Sequence, residues 1–379
     1  MKVLVNAISL RVAGGRSVAL NFLRALGQVG SGHTYYVLAP RNAGYEQLGS
    51  ESVIIRVLPK NLSSLPARFL VDYYWVPRLV RDLRPDVIFS MGNIALPVRH
   101  KQLVLFHHPY AIYDDAEVWS RMNWRHRLYR RAWLKAFELS LPYASEIVTQ
   151  TVTAKRRLEK RYALDPQRVR VVPNAVSIAQ PVAASPGLPS LPERRPGERH
   201  LLCLTRYYVH KNVEVFLRVA ELIRARKMGI RIITTIARDQ GSGAAAFLKE
   251  IGDRRLHDII VNIGPVAMAD IPALYRAVDG MILPTLLESF SGTYVEAMYY
   301  GVPVFTSDRD FARDVCGDAA YYFDPLDPEA ILETVERALS DPQEMRRRVA
   351  RGEEIVSAMP DWIEVARQYV ALLEELAYG

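Results

Sequence analysis

Residues 283–308, LPTLLESFSGTYVEAMYYGVPVFTSD, decide the reading of the whole chain. An apolar run ends at Pro284, a loop carries Glu288, and a turn of small residues from Ser289 to Thr293 opens a helical stretch that contains Glu296. A second short run, Val302 to Thr306, follows as the next strand. Strand, loop, helix and strand in this order make the βαβ unit of a parallel sheet. A helix N-terminus with exposed amides suits an anion, so a phosphate fits over Ser291, Gly292 and Thr293. Glu288 precedes the helix and Glu296 lies about one turn inside it, close enough to hydrogen-bond different hydroxyls of one ligand. Two carboxylates beside a phosphate site suggest a sugar nucleotide. Taken singly, each acid has a plainer reading: Glu288 as a surface loop acid, Glu296 as a first-turn acid that complements the helix dipole.

The same alternation extends in both directions. Strands are expected at Lys2–Asn6, Tyr35–Ala39, Val53–Leu58, Asp86–Ser90, Gln102–Phe106, Glu146–Gln150 and Arg168–Val172, which makes one doubly wound α/β domain. Residues 179–199 (AQPVAASPGLPSLPERRPGER) hold five prolines and no periodicity, so they read as a linker. A second doubly wound domain is expected from strands at Leu201–Thr205, Arg231–Ile236, Ile259–Ile263, Met281–Leu283, Val302–Thr306 and Ala320–Phe323. Three closing helices follow, Pro328–Leu339, Pro342–Met359 and Asp361–Ala377, the last opened by Asp361 with Glu364 in a capping-box pattern. The expected division is therefore 1–178, the linker 179–199, 200–360, and a helix over 361–379 free to pack back on the first domain. In such sheets ligands bind at the carboxyl ends of the strands.

Composition narrows the classes. With 379 residues, half of them apolar, two globular domains are the default, and disorder or a fibre is excluded. No apolar run approaches the roughly 20 residues that cross a bilayer. The N-terminal MKVLVNAISLRVAGG reads as a first strand and not as a leader, so a cytoplasmic protein is expected. Cys203 and Cys316, without C-x-x-C spacing, are expected to be reduced and buried, and nothing suggests a bound metal. Residues 1–180 hold 26 Lys and Arg against 12 acids, a formal +14, whereas the remainder holds 23 against 29, a formal −6. Such asymmetry points one half toward something anionic: nucleic acid, a membrane surface or a charged substrate. Solubility alone is the simpler account.

The motif E-S-F-S-G-T-Y-V-E-A-M-Y-Y-G-V-P-V resembles that of the retaining glycosyltransferases of family 4 (glycosyl transferases group 1), E-G-F-G-x-x-x-x-E-A-M-x-x-G-x-P-V. Glu288, Phe290, Glu296, Ala297, Met298, Gly301, Pro303 and Val304 match, while Ser289 and Ser291 replace glycines. The resemblance implies a GT-B fold, two Rossmann-like domains facing a cleft, and transfer of a sugar from a nucleotide-diphosphate sugar to a glycan, lipid-linked or small-molecule acceptor. It further implies that Glu296 binds the ribose hydroxyls and Glu288 contacts the donor sugar. LTRYYVHKN, residues 204–212, is similar to the family's R-x-x-x-K-N segment with one residue more between Arg206 and Lys211. Cations there would stabilise the departing diphosphate more in the transition state than in the ground state, without a metal and with no tightly bound cofactor. VVPNAVSI, residues 171–178, resembles the family's V-x-P-N-G-V and adds Asn174 to the donor-binding candidates.

In the first half, Gly14 and Gly15 follow strand one and precede a helix expected over Ser17–Leu26, so the chain can approach a ligand there. His107 and His108 end a strand; the family's histidine aligns best with His107, and the doublet leaves the register open by one residue. Gly241–Ala245 (GSGAA) mimics a dinucleotide fingerprint but follows the second strand of its domain, which argues for a flexible loop and helix start. The run 121–137, RMNWRHRLYRRAWLKAF, fits either a peripheral-membrane helix on anionic lipid or a packed helix with a basic solvated face. Rival functions are a nucleotide-sugar epimerase or sugar phosphorylase of the same fold, or a nucleic-acid-binding protein. No nucleic-acid reading motif is present, so no nucleic-acid partner is expected.

Overall fold

The structure, a computed structural model, describes residues 1–58, 70–176 and 191–379. The expected linker 179–199 therefore lies outside the described residues as far as 190. The strands are β1 (Lys2–Asn6), β2 (Thr34–Pro40), β3 (Val53–Leu58), β4 (Val87–Ser90), β5 (Gln102–Leu105), β6 (Glu146–Thr149) and β7 (Val169–Val171), then β8 (Arg199–Cys203), β9 (Ile230–Thr234), β10 (Ile260–Asn262), β11 (Gly280–Leu283), β12 (Val304–Ser307) and β13 (Ala320–Phe323). The helices are α1 (Ala13–Val29), α2 (Val76–Leu83), α3 (Ala116–Ser120), α4 (Trp124–Ser140), α5 (Val152–Tyr162), α6 (Val215–Ala225), α7 (Ser242–Asp253), α8 (Ile271–Arg276), α9 (Gly292–Tyr299), α10 (Asp310–Cys316), α11 (Pro328–Ser340), α12 (Pro342–Ser357) and α13 (Trp362–Tyr378).

Two parallel sheets result, with orders β3-β2-β1-β4-β5-β6-β7 and β10-β9-β8-β11-β12-β13. Each is doubly wound from a central strand, β1 or β8, and the chain reverses direction between β1 and β4 and between β8 and β11. By contact the described residues form two compact units. Unit 1 comprises Met1–Asp114, Asn123–Ala175 and Pro360–Gly379; unit 2 comprises Asp115–Met122 and Val176–Met359. A short piece of the first half, Asp115–Met122, thus groups with the second sheet.

In unit 1 the pleat sends alternate side chains to opposite faces. Val3, Val5, Val37, Phe89, Leu103 and Leu105 pack beneath α1 and α13, where Phe22, Phe89 and Tyr369 form an aromatic cluster with ring centroids 5.2–5.5 Å apart. Leu4, Leu38 and Ile88 pack on the other face against Val71, Val76 and Val80 around α2. Burial on both faces is why these strands are continuous apolar runs. Side-chain N-caps begin the three closing helices where the sequence predicts. Asp361 accepts from Glu364 N (2.8 Å) at α13, and Asp327 and Asp341 cap α11 and α12, each with a proline at the first helical position.

Some expected boundaries move: β8 runs over Arg199–Cys203 and so begins inside the expected linker 179–199. Helix α1 begins at Ala13, not Ser17, so Gly14 and Gly15 lie in its first turn and not in a loop before it. Neither glycine has a positive φ, so nothing in the backbone demands a loop there.

Candidate functional site

In unit 2 the loops after β8 and β11 leave adjacent strand ends at the switch point. The β8 loop carries Arg206 and a 3-10 turn, Val209–Lys211, closed by Asn212 at φ 55°. Asparagine tolerates this left-handed conformation better than most residues. Asn212 is fully buried, and its amide donates to Pro325 O (2.6 Å). The β11 loop carries Thr285 and Glu288. Leu286 N donates to His210 O (2.7 Å), tying the two loops together. Across this tie Lys211 Nζ meets Glu288 Oε1, with the side chains only 12% and 9% exposed. The Thr285 hydroxyl lies 3.2 Å from the same carboxylate oxygen. So shielded a pair is compensated by its geometry, and removing one partner would leave a buried charge.

Arg206 is exposed and forms no ion pair among the described residues. The structure therefore joins Lys211 to Glu288, while Arg206, after β8, makes no side-chain hydrogen bond or ion pair to either among the described residues.

Helix α9 follows the Glu288 loop. Ser291 is its N-cap residue but makes no side-chain capping bond, and a Cβ built on Gly292 would meet nothing within 4 Å. The first turn of the helix is thus open in front. Glu296 points where Tyr275, from α8, reaches it. The Tyr275 hydroxyl lies 3.3 Å from both Glu296 Oε2 and Thr293 O. Burial pushes the Glu296 carboxyl up to about 7, with the Tyr275 hydrogen bond opposing the shift. Desolvation likewise drives the buried Tyr275 hydroxyl well above its ordinary range, with the Glu296 charge adding to it, so it stays a proton donor.

In unit 1 the histidine doublet separates into two environments. His107 hydrogen-bonds through its backbone to Asn93 Oδ1 (2.7 Å), and its ring faces α1, where a Cβ on Gly15 would lie 2.8 Å from Nε2. Glycine at 15 admits that ring, whereas Gly14 has open space around it. His108 turns the other way. It stacks on Trp133 (centroids 3.8 Å apart) and its Nε2 lies 3.0 Å from Arg130 Nη1. Burial holds His107 down to about 4; burial, with the Arg130 charge, holds His108 well below its ordinary value, so both rings are neutral near pH 7. Asn174 follows β7, and its buried Oδ1 makes no hydrogen bond among the described residues.

Three features escaped the sequence. Tyr275 reaches Glu296 from another helix, and Thr285, three residues before Glu288 in the same loop, was not singled out. Glycine at 243 has a packing reason: a Cβ there would lie 2.1 Å from the Tyr207 hydroxyl. Helix α4 divides its basic residues. Arg130 lies over Tyr110 (4.4 Å) and Trp133 is sandwiched by His108 and Phe137, whereas Trp124 (68% exposed) and Leu128 (62%) face outward. Among the described residues there is no helix long and apolar enough to cross a membrane, and no group of three His, Cys, Asp or Glu residues placed to hold a metal.

Comparison with known proteins bears on the family and the fold. Residues 192–354 match the model of glycosyl transferases group 1, and residues 12–180 match that of glycosyltransferase family 4. The chain is 27% identical to a D-inositol 3-phosphate glycosyltransferase of Pseudarthrobacter chlorophenolicus over 42% of this chain and 39% of that protein. It is 26% identical to an MMP alpha-(1->4)-mannosyltransferase of Mycolicibacterium hassiacum over 71% of this chain and 64% of that protein. It therefore spans less than two thirds of either relative. The solved sucrose-phosphate synthase of Thermosynechococcus elongatus superposes with a TM-score of 0.77 at 15% identity, covering 99% of each chain. With both sheets, both models and the switch-point motif in agreement, the chain belongs to the GT-B glycosyltransferases of group 1.

Proposed function

We propose that this protein transfers a sugar from a nucleoside-diphosphate sugar to an acceptor hydroxyl with retention of anomeric configuration, unit 2 holding the donor and residues 1–178 supplying the acceptor side. The observation that carries this reading is the meeting of Lys211 and Glu288 at adjacent strand ends, beside an open helix N-terminus and a second carboxylate, Glu296. The α9 amides at Gly292 and Thr293 and the Ser291 hydroxyl receive the diphosphate. Glu296 binds the ribose hydroxyls and Glu288 the transferred sugar. As the bond from the anomeric carbon to the diphosphate oxygen breaks, its electron pair passes to the diphosphate, and Arg206 and Lys211 stabilise that growing charge. The acceptor oxygen bonds to the anomeric carbon on the same face, and its proton passes to a diphosphate oxygen. His107, neutral and beside Gly15, serves as a hydrogen-bonding group and not as a cation. Gly14, His108 and Asn174 complete the candidate set, His108 by packing and Asn174 through its unused carbonyl.

The test is NMR of the first-formed product with a panel of glucosyl, mannosyl and N-acetylglucosaminyl nucleotides. Retention reads as an anomeric coupling constant that matches the donor's. An inverted product would remove the mechanism, and no turnover or binding with any donor would remove the reading itself.

We further infer peripheral attachment of unit 1 to anionic lipid on the cytoplasmic side through α4, supported by its outward Trp124 and Leu128 among Arg125 and Arg131. Co-sedimentation with vesicles containing phosphatidylserine should exceed that with neutral vesicles, fall as salt rises, and drop in the Arg125→Gln/Arg131→Gln variant. Equal binding to neutral vesicles would refute it. Arg130 is left out because Tyr110 and His108 hold it.

A further inference from the structure

We propose that Arg121 is a positioning residue for the Lys211–Glu288 pair, acting through Asn212, so that the donor site is completed by a residue from the first half of the sequence. The inference rests on the donor-site reading above. Arg121 lies just after α3, in the piece Asp115–Met122 that groups with unit 2 although unit 1 flanks it on both sides. It falls within the stretch matched by the family 4 model and outside that matched by the group 1 model.

Arg121 divides its guanidinium between two tasks. Nε pairs with Glu117 one helical turn earlier (2.8 Å), which fixes the side chain against α3. Nη1 donates to Asn212 Oδ1. The other end of that amide donates to Pro325 O, so the Asn212 side chain is spanned from both ends and held without freedom to flip. Its backbone sits at φ 55°, a conformation that costs a non-glycine residue free energy and persists only when the surroundings fix it. Lys211 is the next residue back, and its ammonium reaches Glu288 from the turn that Asn212 closes. Anchoring Asn212 therefore fixes the direction in which Lys211 leaves the backbone. A simpler role for Arg121, holding the end of α3, is already met by the Glu117 pair and does not call for the bond to Asn212.

The experiment uses the full chain and four variants: Arg121→Ala, Arg121→Lys, Asn212→Gly and the double variant Arg121→Ala/Asn212→Gly. Glycine adopts the left-handed turn freely, so Asn212→Gly removes the amide while keeping the backbone path. The first readout needs no substrate. The acetylation rate of Lys211 by a succinimidyl ester is measured by mass spectrometry against Lys249, whose side chain is 70% exposed. Lys211 should label roughly two- to fivefold faster in each single variant, with the double variant no faster than the faster single one, as expected for residues acting in one chain of contacts. Arg121→Lys, which retains a donor and a charge, should fall between wild type and Arg121→Ala.

The second readout is turnover with the best nucleotide sugar of the panel. In Arg121→Ala, kcat should fall about tenfold while the donor KM stays within about twofold, because Lys211 acts mainly on charge that develops in the transition state. Unchanged Lys211 labelling in Arg121→Ala overturns the proposal, as do single effects that multiply in the double variant. Loss of nucleotide-sugar activity already in the wild type would instead sink the donor-site reading, while the labelling would still decide whether Arg121 positions Lys211.

Discussion

Replacing Glu296 by glutamine should make the ligand-free protein more stable above neutral pH and at the same time weaken its hold on the donor. Burial places the Glu296 carboxyl at about 7, against an ordinary value of 4.5. Between those two values the folded protein binds a proton that the unfolded chain does not. Stability therefore falls as pH rises through this window, and the loss is complete above it. A displacement of this size corresponds to at most about 3 kcal/mol, at 1.36 kcal/mol per unit. Glutamine keeps the shape and the acceptor for the Tyr275 hydroxyl but has nothing to ionise. The advantage of Glu296→Gln should thus be near zero at pH 4.5 and grow toward pH 8, reaching several degrees in the melting temperature of a domain of this size. Differential scanning fluorimetry of both proteins across pH 4.5–8.5 measures it. A constant difference across the range would refute the argument, as would a variant that loses stability toward pH 8. Donor affinity should move the opposite way: if the ionised carboxylate receives the ribose hydroxyls, wild-type binding of the nucleoside diphosphate tightens up to about tenfold from pH 6 to pH 8. In Glu296→Gln that pH dependence should disappear in calorimetry.

Other perturbations separate the remaining roles. Arg206→Ala and Lys211→Ala should each lower kcat by about 10²-fold, with smaller effects on the donor KM; a change in KM alone would contradict a role in the transition state. Lys211→Ala should also destabilise, because it leaves Glu288 buried without its partner, whereas exposed Arg206 should be replaceable at little cost. Turnover should survive EDTA, and loss of activity restored by magnesium would refute diphosphate stabilisation by side chains alone. Gly15→Ala should displace the His107 ring, since the new Cβ would lie 2.8 Å from Nε2, while Gly14→Ala meets open space in the ligand-free protein and should leave the melting temperature nearly unchanged.

The sheets were legible because their strands are buried on both faces, so each appears as a short apolar run whatever its partner. Boundaries were less legible where the signal is conformational. Gly14 and Gly15 suggested a loop, but glycine is permitted in a helix as well as outside it, and the start at Ala13 has neither a side-chain cap nor an acidic first turn to mark it. The grouping of Asp115–Met122 with unit 2 has no local signature either. Its bond to Asn212 spans 91 positions, and neither composition nor periodicity carries information over that separation.

The candidate site shows the same division between what is local and what is assembled. Glu288 and Glu296 were found because both lie on one strand–loop–helix segment, whose spacing sets their positions. Two partners come from elsewhere, Lys211 across the switch point and Tyr275 from the preceding helix, while Thr285 stands three residues before Glu288 in the same loop. These partners decide what the carboxylates are. Glu288 is ion-paired, whereas Glu296, with only a hydroxyl donor beside it, has its carboxyl pushed up to about 7. Two glutamates of one motif thus stand in different surroundings, one against an ammonium and the other beside a hydroxyl, a distinction that no reading of residue types could supply. The histidine doublet follows the same logic. Successive residues at a strand end face opposite ways, so one ring enters the space left by Gly15 and the other is taken up by Trp133. Trp133 thus occupies the His108 ring, while the His107 ring lies between Gly15 and Asn93, whose Nδ2 is 3.3 Å from Nε2.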